Sequence, residues 1–154
     1  MFVHYRTNAI ALKKEGRGEA DELFTFYAKD FGKLEVLGRS IRKIDSKLRA
    51  GTDIFYLSEI EFIQGRGRKT LTDAILIEKL GRIRNNLPKL KIAHNISEAL
   101  DSLVRGQEPD EKIWQLAKEA FERLNDWEIE PPGGEGKLEI IYYYFLWKLI
   151  SALG

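Results

Sequence analysis

No cysteine occurs among the 154 residues, and histidine appears only twice, at His4 and His94. The first absence excludes a disulfide framework and a thiolate metal site within these residues. The second argues against a histidine-rich metal centre, because the two imidazoles lie far apart in sequence. A reducing cytoplasm is the compartment that this composition suits best, and no metal or other cofactor is expected. Long apolar runs are lacking too: the most apolar stretch, Leu138 to Leu153, is broken by Glu139 and Lys148. A bilayer span needs about 20 apolar residues, so this stretch reads as a buried helix and no membrane association is expected. Charges run through Met1 to Ala20, which leaves no room for a secretory signal core. Neither charge sign dominates. The net charge is +1, with 44% hydrophobic and 32% charged residues, the composition of one folded domain or two small ones.

A net charge so close to zero gives no general attraction to nucleic acid, so any such attraction must come from clustering. The clustering is there. Residues 1–80 hold 15 Lys and Arg against 12 Asp and Glu, whereas residues 81–154 hold 10 against 12. Within the first half, Gly32 to Gly51 carries six cations (Lys33, Arg39, Arg42, Lys43, Lys47, Arg49) and only two acids, Glu35 and Asp45. A second basic stretch, Gln64-Gly65-Arg66-Gly67-Arg68-Lys69, adds three cations and no acid.

Local patterning places these stretches. Phe2 to Lys14 alternates imperfectly, as in a strand passing between two environments, and the glycines of Glu15–Gly18 predict a turn. Leu23 to Ala28 is a run of aromatic and β-branched residues. Asp30–Lys33 then predicts a hairpin leading into Leu34, Val36 and Gly38. Ser40 to Gly51 has no strand period and reads as a loop with a helical turn around Ser46 to Ala50. Ile54 to Ile63 predicts a fourth strand with Glu59 and Glu61 on one face and Ile60 and Phe62 on the other. Thr70 to Ile77 predicts a fifth. Five short strands in about 80 residues fit a small closed barrel, for which the OB-fold is the common five-stranded solution.

After Glu78 the period changes to helical. Leu90, Ala93, Ile96, Leu100 and Leu103 form one stripe. Asp110 is positioned to cap a second helix bearing Ile113, Leu116, Ala117, Ala120, Phe121 and Leu124. Glu130–Gly134 is the strongest break, and Lys137 to Leu153 predicts a third helix. The expected class is therefore α+β in two parts: a five-stranded OB-fold β-barrel over residues 1–80, then a small α-helical domain over 81–154.

Catalytic constellations are weak. Glu59 and Glu61 share a face without a histidine or metal cluster, and Ser40, Ser46 and Ser58 lack a nucleophile context. A P-loop needs glycine directly before its lysine, a place that Arg68 holds in Gly65–Thr70. No enzyme is expected. The barrel aromatics Phe24, Phe26, Tyr27, Phe55 and Tyr56 are expected in the core rather than stacked on bases. The run Tyr142–Phe145 with Trp147 fits a buried helix or a protein-docking surface.

The order of several short segments resembles the bacterial DNA repair and recombination-mediator family RecO. They are Tyr5-Arg6-Thr7, Ala11–Lys14, Gly18–Asp21, Leu23-Phe24-Thr25, Phe31–Leu34, Arg42-Lys43 and Ser46–Arg49, with Phe55, Glu61 and Leu71. The similarity covers residues 3–126 and, more loosely, the rest. It implies an OB-fold followed by a helical domain, and a protein that binds single- and double-stranded DNA and anneals complementary strands. It also implies partners: RecR and single-stranded DNA-binding protein, with which RecA is loaded onto coated strands. Many members carry a four-cysteine zinc module beyond the helix matched by Lys137–Gly154. The expectation is thus of a chain truncated before that module or a short version, and zinc binding is not carried over. Arg39, Arg42, Lys43, Lys47 and Arg49, with Arg66, Arg68 and Lys69, are the expected DNA contacts, on two loops that a barrel could bring to one side. The alternatives are an adaptor whose helical half docks proteins, and a general OB-fold RNA binder.

Overall fold

A computed structural model of the chain describes residues 2–43, 45–128 and 134–154. It divides into two compact units, Met1–Lys79 with Gly106–Pro109, and Leu80–Arg105 with Asp110–Gly154.

The first unit is a closed five-stranded barrel of β1 (His4–Arg17), β2 (Asp21–Ala28), β3 (Gly32–Gly38), β4 (Leu57–Gln64) and β5 (Lys69–Glu78). The strands run around it in the order β1-β2-β3-β5-β4, and β4 returns to β1. All neighbours are antiparallel except β3 and β5, which meet in parallel at Leu37 and Thr70. This is the OB-fold. Its interior follows from alternation: Phe24, Phe26, Leu34, Val36, Ile60, Phe62 and Leu71 point inward and are essentially inaccessible to water. β1 carries the closure by pairing with β4 through its first half and with β2 through its second. A register shift between Ala11 and Lys13 marks the crossing, and both faces of Ala9–Leu12 are buried there. That double burial is why its alternation is imperfect.

Most strand limits lie within two residues of the sequence reading, and the two largest differences have physical causes. The glycine pair of Glu15–Gly18 is not a turn throughout: Gly16 stays in β1 opposite Glu22, and Arg17 pairs with Asp21. Only Gly18, with φ of 62°, takes the left-handed conformation that reverses the chain. The fourth strand starts at Leu57 rather than Ile54, because Phe55 turns into the left-handed region (φ 66°), where its side chain is wholly buried. Its N–H donates to the Ala11 carbonyl at 2.8 Å, which fixes the turn to β1.

The second unit holds α1 (Gly81–Arg84), α2 (Leu87–Leu103), α3 (Glu111–Asp126) and α4 (Leu138–Leu153). The short α1 went unseen in the sequence, since four residues cannot show a helical period. α2 and α3 start at side-chain caps. Asn86 accepts from the Lys89 N–H, and Asp110 accepts from those of Lys112 and Ile113, satisfying donors that a helix start leaves unpaired. Ile92, Ala93, Ile96 and Leu100 of α2, Ala117, Phe121 and Leu124 of α3, and Leu138, Ile141, Phe145 and Leu149 of α4 are buried. The Glu130–Gly133 break lies outside the described residues. α4 is not a wholly buried helix. Only its 138-141-145-149 stripe is covered, while Tyr143 and Trp147 are 61% and 62% exposed. No helix among the described residues is long and apolar enough to cross a membrane.

Candidate nucleic-acid interface

The register of the barrel decides which cations meet. Glu22 pairs with Gly38 and Leu37 lies beside Thr70, so the β1–β2 turn, the end of β3 and the β4–β5 hairpin share one end. Outward positions of β2 and β3 lie between the two turns. Together they form an open cleft of about 750 Å³, lined by Arg17, Lys33, Arg68 and Lys69 among others. Leu23 and Leu37 supply aliphatic surface, Asp21 and Glu35 are its acids, and Gly106 and Gln107 complete the lining. Four cations against two carboxylates leave the cleft at +2, in a chain whose total is +1. One of those carboxylates is already engaged, because Asp21 accepts the Ser40 N–H at 2.6 Å.

The two basic loops fare differently. Arg68 and Lys69 line the cleft, whereas Arg66 lies exposed on the same hairpin tip. Arg39, exposed, follows directly on the end of β3. Arg42 is a brace: its guanidinium donates to the Gly18 carbonyl at 2.6 Å and its N–H to that of Ala20 at 3.0 Å. It thereby holds the β1–β2 turn in place. Lys43 is exposed beyond it. Lys47 and Arg49 are carried elsewhere. The chain makes a single 3-10 turn at Arg49–Gly51, and Gly51 lies against the Ala74 backbone in the middle of β5. Ala74 is four residues along β5 from Thr70, about 13 Å from the hairpin end. The single basic segment of the sequence is thus divided, its first cations beside the cleft and its last ones on the strap over β5.

Two cleft cations were missed as site candidates. Arg17 lies outside both basic segments and Lys33 precedes the basic loop on a strand, and only strand pairing puts them beside Arg68 and Lys69. The one available signal was outward alternation of Lys33 with Glu35. Arg17 is also paired with Glu15 at 2.7 Å, which holds the Glu15 carboxyl below its ordinary range, chiefly through that hydrogen bond.

No aromatic side chain is among the described lining of the cleft. Phe24 and Phe26 stack on each other inside the barrel, with ring centroids 5.3 Å apart, and Tyr27 and Phe55 are also buried. Tyr56 is partly exposed. Tyr5 packs onto Phe62 and edge-on to Phe31.

The Glu59–Glu61 pair is part of a brace on the barrel exterior. Arg6 bridges Glu59, Glu61 and Asp73 at 3.1, 2.9 and 3.1 Å, tying β1, β4 and β5 together. The bulge at Thr72 lets its hydroxyl reach Glu61 at 2.8 Å. That bond, followed by the His4 bond and the Arg6 charge, holds the Glu61 carboxyl below its ordinary 4.5 against the opposing effect of desolvation. A depressed folded value means that the contribution is complete above pH 4.5 and disappears as pH falls through the folded value. Thr72→Val should therefore lower the urea midpoint at pH 6, and the deficit should shrink toward zero in acid. Among the described residues no group of three or more His, Asp or Glu side chains is arranged to hold a metal ion.

The family profile described as Recombination protein O N terminal matches residues 1–80, which hold the barrel and all of the named cleft lining but Gly106 and Gln107. The chain belongs to the RecO family. Its relatives include the DNA repair protein RecO of Acetivibrio thermocellus, 26% identical over 98% of this chain and 57% of the relative. That of Moorella thermoacetica is 30% identical over 82% of this chain and 47% of the relative. That of Heliobacterium modesticaldum is 31% identical over 64% and 36%. The chain spans about half the length of such RecO relatives. The family membership and the OB-fold agree with the resemblance read from the ordered segments of the sequence.

Proposed function

We propose that this RecO-family chain binds DNA as a repair and recombination mediator, holding the phosphate backbone in the cleft between the β1–β2 turn and the β4–β5 hairpin. One observation carries the reading: Arg17, Lys33, Arg68 and Lys69 converge on the outer face of β2 and β3, the face with which OB barrels grip oligonucleotides. Held on a cationic surface, two complementary strands repel each other less, which is how the chain would anneal them without catalysing any covalent step. Arg39, Arg42, Lys43 and Arg66 would act at the rim, while Lys47 and Arg49 would add long-range charge from the strap. RecR and single-stranded DNA-binding protein are the proposed protein partners, with assistance to RecA loading as the outcome. The reading predicts micromolar or tighter binding to single strands, with log affinity falling linearly in log salt concentration. Titration of a labelled oligonucleotide at several salt concentrations tests it, and salt-independent binding would speak against it.

A second reading has its own observation. The uncovered face of α4 presents Ile140, Tyr143, Trp147 and Ile150, more apolar surface in one place than a solvated helix normally shows. In that reading the helical unit docks a protein and DNA binding is residual. Capture of RecR by a variant with the cleft cations removed would favour it.

A further inference from the structure

We propose that the cleft is blind to bases: it holds DNA by phosphate and sugar alone, so that bases stay off the protein and an abasic strand binds as an intact one does. The inference rests on the cleft being the DNA site, and it names which part of the DNA the site recognises. Sequence-tolerant single-strand binders ordinarily combine a cationic track with aromatic platforms, each stacked base strengthening binding roughly fivefold to a hundredfold. This cleft has only the first component. Its described lining includes four cations, the aliphatic Leu23 and Leu37, and no aromatic side chain. The rings on the neighbouring strands are committed elsewhere. Phe24 and Phe26 face the interior and stack on one another; Tyr27, which alternation puts on the outer face opposite Lys33, is wholly buried and takes no part in the described lining. No rotamer change brings an inward side chain of β2 to the outer face, because successive residues of a strand point to opposite sides.

Arg17, Arg68 and Gln107 in the lining are of types that can read base edges, but they stand on three separate segments of the chain. Base reading in general uses bidentate arginine, asparagine or glutamine placed against a fixed base position. The cations here sit on two turns and a strand, spread around an opening of about 750 Å³. Such spacing follows a chain of phosphates rather than one base. A strand held by its backbone keeps its bases turned outward and available for pairing, the geometry that annealing requires.

The test uses the full chain and two labelled ligands of equal length, an oligothymidylate and an abasic oligodeoxyribose phosphate, compared by fluorescence anisotropy at two salt concentrations. Affinities within about threefold and matching salt slopes are expected. Arg68→Ala with Lys69→Ala should weaken both ligands by the same factor. Abasic binding tenfold or more weaker than oligothymidylate binding would overturn the base-blind cleft and leave DNA binding standing. Equal binding unaffected by the double substitution would place the ligand outside the cleft and overturn the proposal. Binding of neither ligand at low salt would overturn the DNA reading itself and this proposal with it.

Discussion

Gly51→Ala is expected to destabilise the barrel by about 3–4 kcal/mol, a large share of the stability of a small domain. Gly51 has no unusual φ, so the cost is steric. An added methyl group would run into the Ala74 carbonyl oxygen and lie 2.6 Å from its carbon, inside any real van der Waals contact. Backbone cannot yield as a flexible side chain does, so the strap or β5 must move. Movement would also disturb the hydroxyl of Ser58, which donates to the Gly51 carbonyl at 2.5 Å. Gly67→Ala is the matched control. Its φ of 68° carries left-handed strain, yet nothing lies within 4 Å of the added carbon, and a cost of about 1 kcal/mol is expected. Amide hydrogen exchange in β4 and β5 separates the two, since the three tryptophans, Trp114, Trp127 and Trp147, all lie in the helical unit. Equal protection in both variants would mean that the strap is not pinned at Gly51.

Removing the cleft cations together, by changing Arg17, Lys33, Arg68 and Lys69 to Ala, is expected to weaken single-strand binding at least about 100-fold at moderate salt. Every phosphate of a single strand that is no longer neutralised should also flatten the salt slope by about 0.7. Changing Lys47 and Arg49 instead removes two cations of the most basic stretch of the sequence, yet should cost only a few-fold. These residues act from a distance that physiological salt largely screens. Glu35→Gln should tighten binding, because it takes a negative charge out of the same cleft. Competition titrations at fixed salt rank the variants. A larger loss from the strap set than from the cleft set would reverse the assignment.

The contrast between those two sets shows how far the sequence could be read. The barrel was legible because the pattern of each strand is set by its own burial: Ile60 and Phe62 inward, Glu59 and Glu61 outward. The start of α3 was legible because Asp110 caps its own helix, an interaction completed within three residues. The proposed DNA surface was legible only as charge. Gly32–Gly51 looks like one patch in sequence, but Arg42 is spent on holding the β1–β2 turn, and the strap takes Lys47 and Arg49 toward Ala74. Conversely, Arg17 and Lys33 gain their meaning from strand register, which depends on long-range pairing that no local window contains. The turn at Gly18 shows the same limit on a small scale. Two glycines allowed the reversal, and pairing of Gly16 with Glu22 decided between them.

The most direct measurement is a map of backbone amide chemical-shift changes as an oligothymidylate is titrated into the labelled protein. DNA held in the cleft should perturb Arg17–Asp21, Lys33–Leu37, Gly67–Lys69 and Gly106–Gln107 together, with one common binding curve. Changes confined to Lys47–Gly51 and the middle of β5, or to the helical unit, would contradict a DNA site built from the two turns and the face between them.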